Sequence, residues 1–226
     1  MDQTDNDTTT IGYYLDRRRE WGAAGFDRTR TLTLDYVYQL PDFVKDNGFA
    51  KVVANGWEVS GVMRFWDGVP INITSNGNAG VLSGGGIRAN YLGGSPYATD
   101  DVRSQLAAAK LSHPELLYIN PLVFARPADG SVGNMGRNNL RGPGINQWDF
   151  SIFKNFQFGE QVKAQLRLET FNIFNHTQFV NPGSLNVAAS NAGQALSIGA
   201  GNIGTFGQFT DTRDPRNVQL GLKISF

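Results

Sequence analysis

Val218-Gln219-Leu220-Gly221-Leu222-Lys223-Ile224-Ser225-Phe226 is the stretch on which the fold turns. Val218, Leu220, Leu222, Ile224 and Phe226 are apolar, and the residues between them are polar or small. Side chains of a strand point to opposite faces with a period of two, so this segment has one oily face and one wet face. The alternation runs to the last residue without a polar tail. Ends of soluble domains usually fray into water, where a terminal ring gains nothing. A strand that closes a membrane barrel puts its oily face on lipid and removes the open edge of the sheet. The alternative for these residues alone is a half-buried terminal strand of a soluble β-protein.

Working outward, the 226 residues suffice for one large all-β domain or two small ones. A net charge of zero removes the electrostatic case for a nucleic-acid partner. The absence of cysteine excludes disulfides and thiolate metal sites. No stretch approaches the roughly 18–20 apolar residues of a membrane helix, whereas the strands of a membrane barrel give only a weak hydropathy signal each. Met1 is followed by Asp2, Gln3, Thr4 and Asp5, which is unlike a signal peptide. An outer-membrane protein needs one, so the expectation is that the chain is the C-terminal piece of a longer protein.

Alternation predicts further strands at 28–40, 51–73, 145–156, 161–174 and 215–226. In the first, Leu32, Leu34, Tyr36 and Tyr38 share a face. In the second, Trp57, Val59, Gly61, Met63 and Phe65 do so, with a continuation or a kink at Gly68 and Pro70. In the third, Trp148, Phe150 and Ile152 keep parity until Lys154 falls on the oily face, which a bulge or snorkelling would accommodate. In the fourth, Val162, Ala164, Leu166 and Leu168 oppose Lys163, Gln165, Arg167 and Glu169. Turn signals fill 41–56, with Asn47-Gly48 and Asn55-Gly56 as breakers, and 157–160. Long loops are expected at 74–144 and 175–213, the first holding one short helix near 99–111 capped by Thr99. Short turns at one end and long loops at the other are the asymmetry of an outer-membrane barrel, and the long loops would be extracellular.

Chemistry-bearing constellations are sparse. His113 and His176 have no partner at metal-ligand spacing, so no metal site is expected. Gly84-Gly85-Gly86 lacks the Lys and Ser/Thr of a phosphate loop. Asp100 and Asp101 suit a helix start better than a carboxylate pair. Arg167 with Glu169 reads as an ion ladder. Arg137 and Arg141 read as turn-stabilising or solvated rather than as contacts for an anion, and the cluster Arg17, Arg18 and Arg19 reads as an exposed loop or strand extension rather than a binding patch. No nucleophile–base set is present, so an enzyme is not expected, nor a cofactor.

The terminal strand with its final Phe226 resembles the C-terminal assembly signal of bacterial outer-membrane β-barrels. Several phrases resemble TonB-dependent outer-membrane receptors, the Oar-like group most closely. They are Phe26-Asp27-Arg28, Tyr38-Gln39-Leu40-Pro41, Asn120-Pro121 with Phe124, and Gly133-Asn134-Met135-Gly136-Arg137 leading to Arg141-Gly142-Pro143-Gly144. They continue with Trp148-Asp149-Phe150-Ser151, Lys154-Asn155-Phe156, Arg167-Leu168-Glu169, Phe171-Asn172-Ile173-Phe174-Asn175-His176 and Asp214-Pro215-Arg216. The resemblance implies an all-β fold, an antiparallel transmembrane β-barrel segment in the bacterial outer membrane. Residues 1–226 would supply about five or six strands of a barrel of about 22, lacking its N-terminal plug and TonB-coupling segment. It further implies uptake of an extracellular ligand, powered by the TonB system through the missing N-terminal part. Outer-membrane lipid and the assembly machinery would be the partners of this portion, with Val218, Leu220, Leu222, Ile224 and Phe226 as the assembly signal. Ligand-binding residues and the ligand stay undetermined. The alternatives are a non-transport surface or adhesin barrel and a soluble β-sandwich binding module.

Overall fold

The computed structural model describes residues 18, 21–46, 48–75, 87–158, 162–188 and 203–226. Five long strands dominate: β1 (Thr31–Gln39), β2 (Trp57–Trp66), β3 (Ile145–Phe158), β4 (Val162–Phe171) and β5 (Asn217–Ser225). They form one five-stranded sheet in chain order, and every neighbouring pair is antiparallel. Nine to fourteen residues per strand reach the about 9–11 that a tilted strand needs to cross a bilayer. The sheet is an open meander among the described residues, with β1 and β5 as its free edges.

The chain divides into two compact units. The sheet belongs to the unit of residues 30–67, 144–178 and 213–226. The other unit comprises residues 1–29, 68–143 and 179–212.

The second predicted strand needs correction. Residues expected in a strand from 51 onward begin in a short helix, α1 (Gly48–Ala54), and β2 starts only at Trp57. Asn55 decides this. Its buried amide accepts from the backbone N–H of Phe43 (2.8 Å) and Val44 (3.1 Å) and donates to the Val44 carbonyl (2.7 Å). Gly56, at φ 76°, then reverses the chain, where a Cβ would meet the Asn155 carbonyl at 2.7 Å. Beyond Trp66 the chain takes the kink rather than continuing as one strand to Ile73. Pro70–Ile71 leaves the long sheet and pairs instead with Leu140–Arg141.

The two long loops are corrected more deeply. Residues 68–143 and 179–212 are halves of one packed body rather than irregular loops. Two-residue ladders tie it together: Thr74–Ser75 lies between Asn186–Val187 and Ile87–Arg88, and Asn90–Tyr91 pairs with Phe124–Ala125. Its core holds Ile73, Leu106, Leu117, Ile119, Phe124 and Phe206, each 2 % exposed or less. A row of rings runs from Tyr97 to Tyr118 (5.3 Å), Phe209 (4.9 Å) and Phe179 (4.3 Å, stacked). Helix α2 (Asp100–Ala108) lies inside the segment expected to be helical. Thr99 Oγ1 accepts from Val102 N–H at 3.4 Å, and Val102 and Leu106 face the core.

Candidate functional site: the two faces of the sheet

Register decides which side chains share a face. Tyr36, Gly61, Phe150, Thr170 and Val218 lie in one row across the five strands, and Tyr38, Val59, Ile152, Leu168 and Leu220 in the next. These rows form a continuous oily face. It is not buried: Leu34 and Tyr38 are about half exposed, Leu220 is 75 % exposed and Phe226 100 %. Apolar patches of this extent on a protein mark an interaction surface. Where the row meets Gly61, the Tyr36 ring crosses the missing side chain, and a Cβ there would lie 2.7 Å from its hydroxyl. That is cross-strand aromatic cover of a strand glycine.

Aromatic rings mark both ends of the oily face. Trp148 meets Phe65 (5.6 Å) and Phe174 (5.5 Å) edge to face at one end. Phe156 and Phe158 stack at 6.3 Å at the other, near Trp57. Rings at both limits of an apolar band are the girdle pattern of membrane barrels.

Lys154, the residue that breaks the oily parity, sits in an unbroken register opposite Trp57 and Leu166, so no bulge is present. Its stem follows the oily face, and its ammonium turns to the end of the sheet. There it donates to the Asn55 carbonyl and lies 5.3 Å from the Trp57 ring and 5.2 Å from Phe156. The ammonium does not snorkel into water: Lys154 is only 4 % exposed, and the carbonyl and the two rings hold its charge inside.

The opposite face carries two hydrogen-bonded polar groups. Arg64 donates to Asp149 Oδ2 across β2 and β3 at 2.7 Å. Asp149 Oδ1 also accepts from Gln147 and from the backbone N–H of Asn172, both at 3.0 Å. Gln165 donates to Asn155, and Arg167 donates to Gln165 while covering the Phe153 ring at 5.6 Å. Arg167 thus meets the amide of Gln165 where an ion ladder with Glu169 was expected.

In the other unit, the arginine expected to stabilise a turn does so across sequence. Arg141 pairs with Asp27 at 2.5 Å and donates to the Asp27 and Gly68 carbonyls. Its own carbonyl accepts from Tyr118, whose phenol burial pushes up to about 12, with Tyr97 adding to the rise. His113 pairs with Glu115 at 3.0 Å. That carboxyl is held below its ordinary value first by its own backbone N–H and then by His113. In the sheet's unit, His176 sits 2.5 Å from the Gln178 amide. Asp100 pairs with Arg103 and Asp101 with Gln105, as helix-start residues do. No group of three or more metal-ligating side chains occurs among the described residues. Arg17, Arg19 and the Gly84-Gly85-Gly86 run lie outside them.

Val218, Leu220, Leu222 and Ile224 stand on the oily face of β5, paired with Thr170, Leu168, Leu166 and Ala164, and Phe226 follows the strand's end. The network around Asp149 was missed from sequence, although Gln147, Asp149 and Ser151 alternate visibly there.

A family match decides between a membrane and a soluble sheet. Residues 1–219 match the outer membrane beta barrel domain. The chain belongs to the outer membrane beta barrel domain family. This barrel-family protein therefore resides in the bacterial outer membrane. No curated protein and no solved structure matches it.

Proposed function

We propose that this chain is part of the barrel wall of a TonB-dependent, Oar-like receptor that takes up an extracellular ligand across the outer membrane. The observation that carries the reading is the single-layer meander. One face is apolar, exposed and bounded by aromatic rings; the other carries the Arg64–Asp149 and Arg167–Gln165–Asn155 groups. A wall between lipid and a hydrated or plugged lumen needs this division. Free edges at β1 and β5 call for further strands, since an open sheet in lipid leaves backbone groups unsatisfied.

In this reading the oily face meets outer-membrane lipid, and Val218, Leu220, Leu222, Ile224 and Phe226 present the strand to the assembly machinery. The role is binding and passage rather than catalysis. The TonB system supplies energy through a part of the receptor outside these residues. The family phrases from Phe26 to Arg216 support this finer assignment.

The test compares a strain lacking this gene with one lacking TonB, on limiting chelated iron, glycans or peptides. One shared nutrient defect, restored by the gene only when TonB is present, supports receptor function. A defect independent of TonB would sink the transport reading and favour a surface barrel.

A further inference from the structure

We infer that α1 is an interfacial foot that embeds in the phospholipid leaflet at the short-turn end of the sheet. The inference rests on the reading that the oily face meets lipid. Phe49, Val52 and Val53 are spaced i, i+3 and i+4, so they share one side of the helix. All three are exposed, Phe49 at 81 %, and Phe43 beside them is exposed at 64 %. In water, three such side chains on a seven-residue helix, with Phe43 beside it, would be a liability.

The surroundings say what covers them. The Trp57 ring belongs to the oily face, and its indole N–H donates to the Val53 carbonyl at 2.9 Å. Lys154, on the same face, donates to the Asn55 carbonyl just beyond the helix. The end of α1 is thus fastened to the oily side at the level of its aromatic ring pair. Lys51 and Val52 line a cleft of mixed character that also holds Asp42, Phe156, Lys163 and Lys223, while Phe49 and Val53 lie outside its lining. Exposed apolar residues beside the oily face and a lysine among charged groups are what a helix lying in a headgroup layer requires. Trp57 is suited to that depth, with an apolar body and a polar tip.

These 226 residues hold no cysteine, so once any cysteine elsewhere in the gene product is changed to serine, one introduced thiol reports one position. The variants Phe49→Cys, Val53→Cys, Lys51→Cys and Leu220→Cys are labelled with bimane. The protein, purified as its host makes it, is returned to phosphatidylcholine vesicles whose acyl chains are brominated near the headgroup. Quenching at Phe49→Cys and Val53→Cys should exceed that at Lys51→Cys at least about twofold, as for a helix half-sunk in the interface. Leu220→Cys should be quenched as well. Quenching at Leu220→Cys with none at Phe49→Cys and Val53→Cys overturns the foot and leaves the lipid-facing sheet intact. No quenching at Leu220→Cys removes the lipid-facing sheet, and the foot with it.

Discussion

Asn172 and Asn175 occupy φ of 52° and 51°, the left-handed region that asparagine enters more readily than most residues. Both belong to the phrase Phe171-Asn172-Ile173-Phe174-Asn175-His176, which ends β4. Asn172 accepts from His176 N–H and donates to the His176 carbonyl, both at 3.0 Å, so one side chain closes the turn. Asn172→Ala should lower the unfolding free energy by about 1–3 kcal/mol through those lost bonds and the strained φ. Asn172→Gly should restore only the backbone part. Urea midpoints in detergent micelles measure both, and identical midpoints for Asn172→Ala and wild type would mean strand pairing alone holds the turn. Tyr118 makes a pH prediction. Its folded value of about 12 lies above the ordinary 10.0, so its contribution is complete below pH 10.0 and is lost as pH rises through about 12. Phenolate absorbance should show one late-ionising tyrosine, absent from Tyr118→Phe. Stability should fall less steeply with alkali in that variant; equal slopes would sink the assignment.

At the scale of elements, β5 carries the largest consequence. Its apolar side chains pair with those of β4 on the oily face, yet one backbone edge is free. A free apolar edge is a hazard unless another strand or an assembly factor takes it. Phe226→Ser in the complete gene product should lower its level in isolated outer membranes and leave total synthesis unchanged. Immunoblots of membrane fractions read this, and an unaltered membrane level would remove Phe226 from the assembly signal. Helix α1 shows how an element can be set from outside itself. Val52, Val53 and Ala54 form a short apolar run compatible with helix or strand. The Asn55 amide and the reversal at Gly56 fold it back as a helix, whereas alternation beginning at Trp57 runs on as β2.

On the scale of the whole molecule, the two units answer to different physics. The sheet presents apolar area outward, but the second unit has an internal core around Leu106, Leu117 and Phe124, each 1 % exposed or less. Leu106→Ala should cost that unit about 2–5 kcal/mol by opening a cavity. Amide exchange should accelerate within 68–143 and 179–212, while β2 and β3 keep their protection. Equal acceleration in both places would show that they unfold as one cooperative body.

The sequence by itself determined the strands, their two faces and the cap of α2. These follow from neighbours two to four residues apart: Val218 to Phe226 alternate, and Thr99 reaches Val102. A family likeness carried across many short phrases extended this to an outer-membrane barrel. Only the tertiary structure decided that the long connections are a packed body. Its ties join residues remote in the chain, such as Ser75 to Val187 (3.0 Å), Asn138 to Ala23 (2.6 Å) and Arg141 to Asp27. No local period announces such contacts, because Ile73, Leu117, Phe124 and Phe206 acquire a common core only when three distant segments meet. The same holds for Lys154. Parity marks it as misplaced, and only the Asn55 carbonyl and the Trp57 and Phe156 rings, brought together by strand pairing, give its charge a place.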